Sequence, residues 1–419
     1  LPPMQMSMRF LVPATCLTAL VSALADWPQW HGPNRDNVSS ETGLLQSWPE
    51  GGPPLLWKSA GRGGGYSGPA VSGGRVYSLG YREADEVVWA LDAKDGKEIW
   101  STKTLQANTG MGYPEGPRCT PTVDGDHVYV LSAGGNLVCL EKAGGKLVWQ
   151  VDLVKNHGGK MMSGWGYSES PLVDGGRVIV TPGGPQGTMA AFDAGSGKLV
   201  WQTKEITDQA AYSSIVIATL AGTPQYVQIT DAHVFGVAPA DGKVLWRAAR
   251  AGRTAVVPTP IWHDDHVYVT SGYGVGCNLF KVTKTGAAFS AQQVYANRDM
   301  VNHHGGVLRV GDHLYGYSDG KGWICQEFKT GTTLWAERRK LGKGSLTCAD
   351  GHLILRYESG PGTMVLIKAT PEGFQETGRF DPPDRSNKNS WPHPVVCDGR
   401  LYVRDQDILL CYDLKPQGR

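Results

Sequence analysis

Hydrophobic and polar positions alternate with a period of two in short runs along the chain, as in Val128 and Val130 followed by Leu137 and Cys139. This is the pattern of half-buried β-strands. The runs assemble into one recurring unit. Its first half reads Pro-x-Val-x-Gly-x-x-Val-Tyr, a short strand, a turn and a second strand. Its second half is a third strand ending in Ala-Leu-Asp, a Gly-containing turn, and a fourth strand ending in Trp. The clearest copy runs from Pro69-Ala70-Val71 through Val76-Tyr77 and Ala90-Leu91-Asp92 to Trp100. Further copies run from Pro121 to Trp149, from Pro171 to Trp201, from Ser213 to Trp246, from Pro260, from Gly306 to Trp335, from near Leu346, and from Pro394 to Asp413. The fifth and seventh copies lack the Trp. In the Asp-x-x-x-Gly turns, Gly stands where a tight hairpin needs positive φ.

The Trp residues recur at roughly 45-residue spacing, and a four-strand unit of that period is the signature of a β-propeller. The predicted fold is therefore all-β: an eight-bladed β-propeller of four-stranded antiparallel blades, spanning residues 54–415 as a single domain. The eighth unit stops one strand short at Leu414. Pro54-Leu55-Leu56-Trp57 matches the outer-strand ending Leu147-Val148-Trp149, so this N-terminal strand is expected to complete the last blade and close the ring. Closure removes the open edges that a linear array would expose.

Composition adds little to the fold and more to the setting. The 419 residues include 56 Gly, 14 Trp and 16 Tyr, which suits many short strands and turns. A net charge of +1 gives no reason to expect nucleic acid or an anionic membrane as partner. Arg9, the mostly apolar run from Phe10 to Leu24, and Ala23-Leu24-Ala25 read as a signal peptide over residues 1–25, cleaved after Ala25. A lipoprotein anchor on Cys16 is the rival reading, with Thr15 a poor preceding residue. The run is too short to span a membrane. A periplasmic or secreted protein without a transmembrane span is expected, with residues 26–53 as an N-terminal extension. Seven of the eight cysteines lie beyond the cleavage site. None form a CxxC or an adjacent pair, and Cys139, Cys325 and Cys411 take the repeat position of Ala90 and Ala191, so they read as small core residues.

The Ala-Leu-Asp-x-x-x-Gly-Lys-x-x-Trp string resembles the repeat of the PQQ-like (pyrroloquinoline quinone) β-propeller family, which includes quinoprotein dehydrogenases and the outer-membrane assembly propeller. The resemblance covers about residues 54 to 414. The opening Asp26-Trp27-Pro28-Gln29-Trp30-His31-Gly32-Pro33-Asn34-Arg35 is similar to the start of exported planctomycete-type propellers. The resemblance implies that the outer-strand Trp docks neighbouring blades. It also raises pyrroloquinoline quinone as a cofactor. Quinoprotein alcohol dehydrogenases, however, carry an adjacent Cys pair and a Glu-Asn-Asp calcium set. The pair is absent here and the calcium set cannot be mapped, so no metal site is assigned and the cofactor is left open.

The loops entering the inner strands are rich in polar and aromatic residues, whereas the opposite loops are ordinary hairpin residues. The candidate ligand-binding set is Tyr113, Glu115, Arg118, Lys160, Trp165, Tyr167, Glu169, Tyr212, Arg253, Asn302, His303, His304, Lys343, Trp391 and His393. Such convergence suits a small-molecule pocket at one end of the central channel, with Arg, Lys and His for an anionic or hydroxyl-rich ligand and aromatic faces for a sugar or quinone ring. Glu115 and Glu169 are either an acid/base pair or ion partners of Arg118 and Lys160. His303 and His304 could be a metal-ligand pair, but adjacent residues on a strand point opposite ways, so at most one of them is expected to face the funnel. Gly61-Arg62-Gly63-Gly64-Gly65 lacks the ending and the helix of a phosphate loop and reads as a flexible loop. Three functions remain: a binding or catalytic propeller for a carbohydrate or quinone, an envelope or outer-membrane assembly scaffold with envelope proteins as partners, and a quinone-dependent alcohol or sugar dehydrogenase. No catalytic residue is assigned.

Overall fold

The computed structural model describes residues 26–416. The expected signal peptide, Cys16 included, lies outside the described residues. Eight four-stranded antiparallel sheets follow one another along the chain, each running from an innermost strand at the channel to an outer strand at the rim. Blades 1 to 7 are continuous in sequence. Blade 8 is composite: the strands Val395–Cys397, Arg400–Asp405 and Ile408–Asp413 are completed by Leu55–Ser59, which pairs antiparallel with the last of them, Trp57 opposite Cys411. The ring is thus closed by an N-terminal strand. No described helix is long and apolar enough to cross a membrane.

The blades interlock through the outer-strand Trp. Each sits opposite a small residue of its own third strand: Ala90 for Trp100, Cys139 for Trp149, Ala191 for Trp201, and Cys325 for Trp335. Its indole then reaches the third turn of the next blade. Trp57 donates Nε1–H to Ala93 O, Trp100 to Lys142 O, Trp149 to Ala194 O and Trp201 to Pro239 O. The ring lies flat on the turn's glycine. A Cβ on Gly96 would stand 2.5 Å from Trp57, and one on Gly145 would stand 2.4 Å from Trp100. Those glycines are therefore required twice over, by positive φ and by the approach of the indole.

Departures from the repeat have local causes. Blade 5 carries two ten-residue strands, Gly276–Thr285 and Ala288–Asn297, which move its turn away from Trp246. Trp246 bonds Gln225 of its own blade instead. The Trp missing from unit five is replaced by Tyr295, which packs on Gly331 of blade 6 and donates to Phe328 O. In blade 7 the Trp position is Gly378, opposite Leu366. There Trp48 of the N-terminal segment lies on Gly378 and against Phe380. All seven described cysteines are buried, and none is joined in a disulfide.

Residues 26–39 run through the central channel. Trp27 bridges Val71 of blade 1, Pro28 O accepts from Val123 N of blade 2, and Arg35 donates to Ser170 O and Pro171 O at blade 3. Val38–Ser39 then adds to blade 7 as a fifth, parallel strand. Gly61–Gly65 is no flexible loop. Asp407 accepts from the amides of Gly61 and Gly63, and Gln406 from that of Gly65, so neighbouring side chains from blade 8 fill the cradle.

Candidate functional site

One end of the channel opens into a cavity of about 110 Å³. Its floor is Trp30 and His393, and its walls include Tyr66, Tyr113, Arg118, Trp165, Ser168, Tyr212, Ser214, His304 and Trp391. The rings touch in an unbroken series. Tyr66 stacks on Trp391 with centroids 4.3 Å apart, and Tyr113 meets Trp391 edge-on at 4.8 Å and Trp165 at 5.7 Å. Trp165 stacks on Tyr212 at 5.3 Å. These five residues come from the loops entering blades 1, 8, 2, 3 and 4, so only the closed ring brings them together. Tyr113 takes a left-handed φ of 57° and stays partly exposed while lining the cavity.

The charged candidates are mostly spent within the protein. Arg118 donates to the carbonyls of Gly112, Tyr113 and Gly116 and touches Met111 Sδ, which shapes the loop that carries Tyr113. Glu115 pairs with Lys388 at 3.0 Å and accepts from Tyr66 Oη. The expected ion pairs of Glu115 with Arg118 and of Glu169 with Lys160 are not formed. Backbone carbonyls capture the guanidinium first, and Lys160 is exposed, its backbone tied to Pro182 and Ala210. Nor are the two carboxylates an acid/base pair across the cavity. Glu169 is buried between blades 3 and 4, accepting from Thr181 N, Thr181 Oγ1 and Gln228 Nε2. Burial pushes its carboxyl up to about 8, against those donors and the nearby Arg35.

Tyr167 and Asn302 are also structural: Tyr167 Oη donates to Pro182 O, and the Asn302 amide bonds Gly306 and Tyr317. Arg253 is exposed at the rim, close only to Tyr273 O. His303 and His304 lie in an irregular loop, so strand alternation does not apply; His304 lines the cavity, and His303 lies behind it between Trp165 and Tyr273. His304 lines the cavity with Nε2 3.0 Å from Glu358. His303 accepts at Nδ1 from Lys343, which also pairs with Asp319 at 2.8 Å. Burial, and then the nearby His304 and Lys343, push His303 down to about 4, so its ring is neutral at neutral pH with the proton on Nε2.

Residues of the N-terminal segment complete the site, and sequence reasoning left them unassigned. Asn37 donates its amide to Leu346 O and to Nδ1 of His393, which makes that nitrogen an acceptor. His31 therefore contributes Nε2–H to the same atom, at 3.2 Å. Burial drives His393 down to about 4, against a hydrogen bond to the His304 backbone, and it lowers His31 as well. The unfolded chain protonates His393 near pH 6.5 and the folded one only near pH 4, so stability present above the upper value is lost as pH falls through this window, and His31, also lowered by burial, acts in the same direction. We expect a loss of up to about 3 kcal/mol from His393 alone, read as denaturant unfolding at pH 7 and pH 4, with a flatter profile for His393→Gln. An equal slope in the variant excludes His393 as the cause.

The residues do not fit pyrroloquinoline quinone with calcium. Among the described residues no three His, Cys, Asp or Glu side chains are grouped to hold a metal, and no cysteine lines the cavity. The cavity's one guanidinium is engaged, leaving no free cation for a carboxylated quinone.

Comparison with known proteins agrees with this architecture. The model of the family described as outer membrane protein assembly factor BamB matches residues 38–112 and 106–337. The quinohemoprotein alcohol dehydrogenase ADH-IIG of Pseudomonas putida is 29% identical over 140 residues, 32% of this chain and 18% of that protein. The chain thus spans under a fifth of the length of this and other curated relatives. The crystal structure of BamB from Moraxella catarrhalis superposes with a TM-score of 0.59 at 16% identity, over 84% of this chain and 95% of that one. That of the quinohemoprotein alcohol dehydrogenase from Comamonas testosteroni gives 0.64 at 12% identity, over 94% and 81%. At these identities the superpositions are a likeness of fold.

Proposed function

From the premise that the chain belongs to the PQQ-like propeller family described as outer membrane protein assembly factor BamB, we propose that it is an exported propeller whose funnel binds a small polar ring molecule, a carbohydrate. The observation that carries this is the series of rings from Tyr66 through Trp391, Tyr113 and Trp165 to Tyr212 around one mouth. Aromatic faces give a pyranose its apolar contact, and Ser168, Ser214 and His304 below them offer hydrogen bonds to hydroxyls. A neutral ligand suits a site whose charges are paired internally. At about 110 Å³ the cavity is below the usual range of about 300–1,000 Å³ for ligand pockets, so a sugar ring would rest largely in the open mouth against the aromatic faces.

The test is titration of the mature chain with glucose, galactose, N-acetylglucosamine and their oligomers, followed by tryptophan fluorescence. Saturable binding is expected, weakened at least about tenfold in Trp391→Ala. No response to any of these sugars removes the reading. The second reading, an envelope-assembly scaffold, is favoured by the family match itself and takes its place in that case. Export is tested separately by N-terminal sequencing of the mature protein, where Asp26 is the expected first residue.

A further inference from the structure

The N-terminal segment that floors the funnel also roofs a second chamber on the far side of the ring. This cleft of about 530 Å³ is lined by Pro33, Asn34 and Asp36 of the segment and by innermost strands of blades 3 to 6. Its volume falls within the usual range for binding sites, and it shares no lining residue with the funnel cavity.

Innermost strands of a propeller turn one backbone edge to the channel, and in this chain the segment covers those edges unequally. Blade 7 is capped by the parallel strand Val38–Ser39, with Val38 opposite Cys348. Blade 1 is capped by Trp27, whose N–H and C=O both bond Val71 at 2.8 Å. Blade 2 is met by Pro28 O and blade 3 by Arg35. In blades 4, 5 and 6 the innermost strands Val216–Leu220, Ile261–His263 and Val307–Val310 end their sheets, with no described strand beside them. The cleft lies along these open edges. Two large apolar side chains stand in it, Ile217 at 38% and Trp262 at 36% exposure. Asp36 and Arg309 also line it, close enough to feel each other's charge.

An open edge is a template for another strand, and strand addition takes affinity from main-chain hydrogen bonds and specificity from alternate side chains. The segment itself demonstrates the geometry two blades away. We propose that this cleft is a peptide-binding site, in which an extended segment of a partner polypeptide adds beside Ile261–His263 of blade 5 and lays an apolar side chain between Ile217 and Trp262. The segment's turn is held rigid for this. His31, Arg35 and Asn37 all keep positive φ, locked by His393, by Pro171 and by Leu346. The inference does not rest on the carbohydrate reading of the funnel.

Short peptides displayed on phage and selected on the immobilised mature chain supply the probe. Enriched peptides are resynthesised and their binding is followed by fluorescence anisotropy. Affinity is expected to fall at least about tenfold in Trp262→Ala and in Ile217→Lys. It should fall as far when alternate peptide amides are N-methylated in one register, and stay unchanged in Trp391→Ala. Both cleft residues are exposed, so unchanged thermal unfolding of these variants checks that the fold is retained. The proposal is overturned if no peptide is enriched, if enriched peptides bind Ile217→Lys as well as the wild type, or if N-methylation in either register is tolerated. Loss in Trp391→Ala moves the peptide to the funnel and equally overturns it. Failure of sugars to bind the funnel leaves this experiment standing.

Discussion

Trp100→Ala is expected to lower the unfolding free energy by about 3–5 kcal/mol, the range for truncating a large buried aromatic side chain. The indole is 8% exposed and does three things at once. It fills the space against Ala90, it covers Gly145 of the next blade, and its Nε1–H satisfies Lys142 O at 3.1 Å. Truncation removes the apolar contact and one of the two donors to Lys142 O, leaving only Arg75 there, and the void lies between two sheets that cannot close on it without moving a whole blade. The complementary change tests the same contact from the other side. Gly145→Ala introduces a Cβ 2.4 Å from the Trp100 ring at a φ of 72°, so it too should destabilise, through overlap and strain. Chemical denaturation of the two variants measures both. An unchanged midpoint for Trp100→Ala rejects blade docking as the role of this residue.

Arg404→Leu is expected to cost at least about 3 kcal/mol, because it unpins the seam where the ring closes. Arg404 is fully buried in blade 8 and reaches across to blade 1. Its Nη1 donates to Ser67 O, Ser78 Oγ and Leu79 O, and its Nη2 to Gly63 O. Nε bonds Gln406 O within its own blade. Burial pushes the guanidinium down to about 9, so holding the charge there has a cost that these acceptors offset. Leucine fills part of the volume but removes the guanidinium bonds to Gly63 O and Leu79 O, while Ser67 O keeps only the longer bond from Ser78 Oγ, and an unsatisfied buried acceptor costs about 1–3 kcal/mol. Arg404→Lys should recover little, since one ammonium cannot reach acceptors spread over two strands. Stability equal to wild type in Arg404→Leu shows that the outer-strand pairing of Leu55–Ser59 closes the ring unaided.

The sequence by itself determined the blade count, the strand order and the closure. These rest on a one-dimensional pattern: alternating burial within strands, a glycine where a turn needs positive φ, and a Trp at each outer strand. The pattern even placed Cys139, Cys325 and Cys411 correctly, because the register sets each opposite its Trp or, for Cys411, opposite Trp57 of the closing strand. What only the tertiary structure decided lies in segments with no period. The use of Tyr295 and Trp48 in the two units without a Trp depends on contacts between blades and with the N-terminal segment. The path of residues 26–39 through the channel follows from edge hydrogen bonds and from three left-handed residues, of which Arg35 has no propensity for that conformation and His31 and Asn37 only a weak one. The candidate loops were legible as a group, but the direction of each side chain was not. Trp165, Tyr212 and Trp391 turn into the cavity, while Tyr167, Glu169 and Asn302 turn into the packing between blades. A loop residue's orientation is set by which buried donor or acceptor it alone can satisfy, and that partner comes from a different blade or strand of the fold.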